Sequence, residues 1–178
     1  LIGLVEASET DERGGLPEEV HFKCSPVVQE VVRVKNLNLQ ADCRQLIDSL
    51  VNELDPYKIH AENYRHSTVF VRYAEALLLV LKEPQDELGT LCQNIGNFHA
   101  DTGDLNKTMD AFRKMMEIQT AVLLTAPDNI SFKNGLAISC QYLGNTHRAL
   151  GNLDTALTYF EQYNQLEKEL YETYPQSV

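Results

Sequence analysis

A chain of 178 residues with 15 Lys and Arg against 26 Asp and Glu carries a formal charge of −11, which argues against a nucleic-acid backbone as partner, because that affinity depends on clustered cations. Hydrophobic residues make up 43%, enough to supply the core of about one domain. The longest strongly apolar run, residues 76–81, falls far short of the roughly 20 residues of a membrane span, so no membrane partner is expected. Four cysteines without a C-x-x-C spacing suggest neither a zinc site nor a disulfide framework, and point to a reducing, cytoplasmic setting.

In chain order, residues 1–5 and 20–23 read as short β-like runs. A Gly- and Glu-rich segment containing Gly14-Gly15 separates them. Ser25-Pro26 then opens a helix through Val27, Val28, Val31 and Val32. Strand, wing, strand and helix predict a winged-helix remnant over residues 1–35. Residues 36–84 predict a helical cap. One helix, 37–54, carries the stripe Cys43, Leu46, Ile47, Leu50, Val51 and Leu54 and ends at Asp55-Pro56. A second, about 62–82, turns Tyr73, Ala74, Leu77, Val80 and Leu81 inward. Acidic residues gather in 6–19 and 161–172 and read as a solvated loop and a solvated helix face.

From residue 85 the chain repeats itself. Cys92, Gln93, Gly96, Asn97, His99, Gly103, Leu105, Phe112 and Pro127 recur as Cys140, Gln141, Gly144, Asn145, His147, Gly151, Leu153, Phe160 and Pro175, at a constant offset (144 − 96 = 48). A fixed self-similarity of this kind marks a stacked solenoid, in which no unit buries its apolar face alone. Apolar residues three and four apart over 129–150 and 153–174 make each unit a helical hairpin. The hairpins are predicted at 87–127 and 129–175. Residues 174–178 restart the element at 126–130, so both ends read as cut from something longer. Asp128 and Asn129 are suited to accept from orphan N–H groups at a helix start, and Gly151 to close that helix. Gly144 lies mid-helix, where glycine costs about 1 kcal/mol against alanine. The expected compensation is close approach of the second helix near Ala156, or Thr108 in the first unit. Phe112 and Phe160 would fill the layer between hairpins.

The motif Cys140-x-x-Leu143-Gly144-x-x-His147, with Ala156-x-x-x-Phe160 behind it, and its earlier copy Cys92-x-x-Ile95-Gly96-x-x-His99 with Thr108-x-x-x-Phe112, resemble the tetratricopeptide repeat. Cys stands for the usual large residue, His for Tyr, and the period exceeds the usual length of about 34. The resemblance implies an all-α superhelix of antiparallel, elongated helical hairpins. His21-Phe-Lys-Cys-Ser-Pro-Val-Val-Gln-Glu-Val-Val-Arg33 and Asp42-Cys-Arg-Gln-Leu-Ile47 resemble the junction after the nucleotide-binding core of bacterial STAND ATPases, the NB-ARC- or NACHT-like signalling proteins. Residues 131–139 and 163–175 resemble the long repeat arrays of that family. The implied role is the ligand-sensing region of a signalling ATPase, with the rest of a longer chain as one partner; the alternative is a free-standing adaptor or co-chaperone-like protein. The position matching the family's nucleotide-contacting histidine is Ser25, and there is no P-loop, so no cofactor is expected.

Cys92 with His99, and Cys140 with His147, invite a metal or nucleophile reading. Seven residues of helix is about 10 Å, too far for one ion or a direct hydrogen bond. Their recurrence at the repeat offset makes them packing positions instead. No G-x-x-x-x-G-K-[ST], H-E-x-x-H or G-x-S-x-G occurs, so no enzyme activity is expected. The register implied by the resemblance places a peptide- or protein-binding surface on the first helix of each hairpin, at Gln93, Asn94, Asn97 and Asp101 and at Gln141, Tyr142, Asn145 and Arg148. Asn97 and Asn145 would each offer an acceptor and two donors to an extended backbone. Lysines suited to clamping an acidic C-terminus are lacking.

Overall fold

Apolar spacing of three and four carries through to the three-dimensional structure. A computed structural model describes residues 39–60, 63–81 and 83–173, among which every regular element is a helix: α1 (Leu39–Asp42), α2 (Arg44–Glu53), α3 (Tyr64–Val80), α4 (Asp86–Asp101), α5 (Leu105–Thr125), α6 (Ile130–Ala149) and α7 (Leu153–Thr173). The expected winged-helix remnant, residues 1–35, lies outside the described residues. The chain divides into two compact units, residues 1–42 and 43–178; α1 is the described part of the first, and α2 to α7 belong to the second.

Two helices precede the repeats. The expected helix 37–54 is interrupted at Cys43, and its second part buries Ile47 and Leu50, with Leu54 following, while Leu46 is half exposed. On α3 the buried stripe is Ser67, Val71 and Ala74, continuing to Leu81 just past its end. Tyr73 and Val80, expected inward, are 54% and 50% exposed. Each lies one residue off that stripe, about 100° around the helix. Both α2 and α3 pack on α4.

The repeats form two hairpins whose helices run 16, 21, 20 and 21 residues. Asp104 caps α5, its side chain accepting from the Lys107 N–H at 3.1 Å, and Asn129 caps α6 by accepting from the Phe132 N–H at 3.2 Å. Gly103 and Gly151 reverse the chain at φ +80° and +79°. At each, the residue after the glycine donates its N–H to the carbonyl of His99 or His147, and the glycine N–H donates to that of Ala100 or Arg148. This Schellman geometry satisfies carbonyls that the helix end leaves open. Helix α4 packs on α5, α5 on α6 and α6 on α7, a chain of nearest-neighbour contacts.

Close approach of the second helix, expected to compensate the two mid-helix glycines, is made by a phenylalanine side chain in each hairpin. A Cβ on Gly96 would stand 2.3 Å from the Phe112 ring, and one on Gly144 would stand 2.7 Å from that of Phe160. Phe112 and Phe160, expected in the layer between hairpins, lie over the glycines inside their own hairpins, and Thr108 and Ala156 are buried. Phe112 also reaches the next hairpin, stacking on Tyr142 with centroids 4.5 Å apart. A second close approach centres on Gln119 of α5. Cβ atoms on Gly89 of α4 and Gly135 of α6 would come within 2.3 and 2.5 Å of its amide.

Candidate functional site

A cavity of about 580 Å³ lies between α2, the turn that follows it, α4 and α6. Helix α4 contributes Gln93, Asn94 and Asn97, whose one-, three- and four-residue spacing puts them on one side of a helix. Tyr142 comes from α6. Its ring is fixed by the stack on Phe112, and its hydroxyl accepts from Gln93 Nε2 at 3.2 Å. The opposing wall holds Asp48 and Asn52 of α2 and Asp55 and Tyr57 of the turn. Asp55 Oδ1 accepts from the Tyr57 N–H at 3.0 Å, and Lys58 Nζ donates to Asn52 Oδ1.

Gln93, Asn94, Asn97 and Tyr142 are thus brought together as residues of one cavity wall. Asn94 is 6% exposed and donates Nδ2 to the Val51 carbonyl at 3.0 Å, so it ties α4 to α2. Asn97 keeps its amide free of hydrogen bonds among the described residues. Asp101, Gln141, Asn145 and Arg148 are exposed and do not line this cavity; Arg148 instead places its guanidinium 5.9 Å from the centre of the Phe160 ring. The repeat register treats both hairpins alike, whereas α2 packs on α4 and closes the cavity there. Asp48, Asn52, Asp55 and Tyr57 were not expected from the repeat. Their only signal is the Asp55-Pro56 helix stop, which puts polar residues at the end of a helix docked on the repeats.

The cysteine and histidine pairs sit at interior positions. Cys92 and Cys140 are 0% and 1% exposed. Burial pushes the Cys92 thiol up to about 12, against the opposing charge of Lys114, and burial also raises Cys140. Thiols this protonated are poor nucleophiles. His99 donates Nε2 to Glu75 Oε1 at 3.0 Å. His147 lies flat on Tyr159, with centroids 5.5 Å apart, and its buried Nδ1 has no partner among the described residues. Burial, and then Arg113, hold His147 below the usual histidine range. No cluster of three metal-binding side chains occurs among the described residues, and none of their helices is long and apolar enough to cross a membrane.

Comparison with known proteins finds no matching family model, no matching curated protein and no matching solved structure.

Proposed function

We propose that this chain is a protein-recognition module of tetratricopeptide type that holds an extended segment of a partner in the cavity between α2, α4 and α6. The observation that carries this reading is the free amide of Asn97 beside an oriented tyrosine. An amide supplies both donors and an acceptor, which suits a peptide backbone whose own groups lose water on binding. Tyr142, held from behind by Phe112 and from the side by Gln93, is a rigid amphipathic contact of the kind enriched at interfaces.

Selection of peptides from a random display library on the whole chain tests the proposal. Asn97→Ala is expected to weaken the selected peptides by about tenfold, the worth of roughly 1.4 kcal/mol, while Gln141→Ala, outside the cavity, leaves them unchanged. Equal binding by the wild type and Asn97→Ala, with unchanged circular dichroism, would remove the cavity as the site. The wider proposal, a ligand sensor for a STAND-type ATPase core, is supported by the sequence over residues 21–47. The complete reading frame tests it: a P-loop upstream supports it, and a start codon beside Leu1 favours the adaptor.

A further inference from the structure

We propose that the cavity selects a segment carrying an arginine, whose guanidinium is held by Asp48 and Asp55; this rests on the peptide-binding reading above. The charged groups that line the cavity are, among the described residues, both carboxylates: Asp48 and Asp55. Both carboxylate oxygens of Asp48, Oδ2 of Asp55 and the side-chain carbonyl of Gln93 have no hydrogen-bond partner among the described residues. Asn94 and Gln93 each commit one amide N–H, to the Val51 carbonyl and to the Tyr142 hydroxyl. No lysine or arginine among the described residues lines the cavity. Lys58, on the turn after α2, donates to Asn52 Oδ1. A ligand that complements these two carboxylates brings a positive charge and N–H donors to direct at them.

Two features favour arginine over lysine. The guanidinium presents five donors in a planar fork that matches carboxylates, where an ammonium is a strongly hydrated point charge. It also stacks on aromatic faces, and the cavity has two tyrosines, Tyr57 from the turn after α2 and Tyr142 from α6. Tyr57 is 91% exposed, an aromatic ring with its face available. The net charge of −11 attracts a cationic segment and repels an acidic or phosphorylated one.

The experiment is a titration of the isotope-labelled whole chain with acetyl-Gly-Arg-Gly-amide, followed by the side-chain amide resonances of Gln93 and Asn97. Three companion peptides replace arginine by citrulline, lysine or glutamate; citrulline keeps the shape and removes the charge. The arginine peptide is expected to shift both amides and to bind more tightly than lysine, with citrulline and glutamate weakest. Asp48→Asn/Asp55→Asn should weaken the arginine peptide by roughly five- to tenfold, the effect of losing two partly exposed ion pairs. The amide carbonyl that Asp55→Asn introduces can still accept from the Tyr57 N–H, so the turn is preserved, and unchanged resonances away from the cavity check the fold. Tyr57→Leu should weaken arginine more than lysine. Equal binding of arginine and citrulline at the two amides overturns the arginine assignment and leaves the peptide-binding cavity standing. Shifts scattered over the acidic surface, or none at Gln93 and Asn97 with any peptide, also overturn it; in that case the library selection decides separately whether the cavity binds peptides of another kind.

Discussion

Gly96 and Gly144 hold the same place in their hairpins, yet a methyl group should cost them unequally. Phe112, which covers Gly96, is 2% exposed and stacked on Tyr142, so it has nowhere to retreat. Phe160, which covers Gly144, is half-buried on α7 with the Arg148 guanidinium as its neighbour and can shift outward. Gly96→Ala is therefore expected to destabilise by about 1–3 kcal/mol, the usual overpacking range. For Gly144→Ala a smaller overpacking loss is offset by up to about 1 kcal/mol of helix propensity. Thermal melts check this, and a higher midpoint for Gly96→Ala than for Gly144→Ala would contradict the buried Phe112 clamp. His147 gives the residue-scale pH dependence. Its folded-state affinity for a proton is depressed by burial and by Arg113, so the unfolded chain binds that proton more readily. Its contribution is fully present above the unfolded value of about 6.5, and is lost as pH falls through that value towards the lower folded one. His147→Gln should flatten this part of a stability-against-pH curve; an unchanged slope would assign the loss to other groups.

At the scale of elements, Gln119 fastens three helices. Its Nε2 donates to Asp86 Oδ1 at 2.9 Å, its amide fills the space left by Gly89 and Gly135, and its buried Oε1 has no partner among the described residues. Gly135→Ala alone should destabilise through overpacking, whereas in a Gln119→Ala background the same change should be neutral or stabilising. A double-mutant cycle is expected to give a coupling of about 0.5–3 kcal/mol, and simple additivity would mean that the amide and the glycine do not share that space. This clasp was not legible in the repeat, because its glycines lie off the 48-residue offset (135 − 89 = 46). Helix ends were legible, since a cap such as Asn129 or a left-handed Gly151 acts through its own backbone neighbours. The inward face of α3 was not: residues 76–81 are all apolar, and an unbroken apolar run has no contrast from which to read a face. For the site, Gln93, Asn94 and Asn97 came from the register that the repeat resemblance implies. The wall carrying Asp48 and Asp55 depended on which helix docks against α4, a long-range fact that no local pattern encodes.

Across the second unit, stability is distributed along a stack of neighbours, and α7 buries fewer of its residues than α5 does. Helix α5 lies between α4 and α6 and buries Thr108, Met109, Phe112, Met115, Ile118, Gln119 and Val122, whereas α7 buries Ala156 and Leu170. Leu157 occupies on α7 the place of Met109 on α5, yet it is 58% exposed against 5%. In such an array local opening follows the contacts each element makes with its neighbours. Amide exchange in the whole chain should therefore be faster through α7 than through α5, since opening α7 exposes less apolar surface. Substitution is expected to follow the same gradient. Leu157→Lys should change stability by no more than about 0.5 kcal/mol, as at ordinary surface positions, while Met109→Lys forces a charge into a buried layer and should abolish the folding transition. Both measurements belong at several protein concentrations, because self-association over Leu153 and Leu157 would protect α7 in a concentration-dependent way. Protection of α7 equal to that of α5, independent of concentration, would mean that the end hairpin is held by contacts other than this apolar layer.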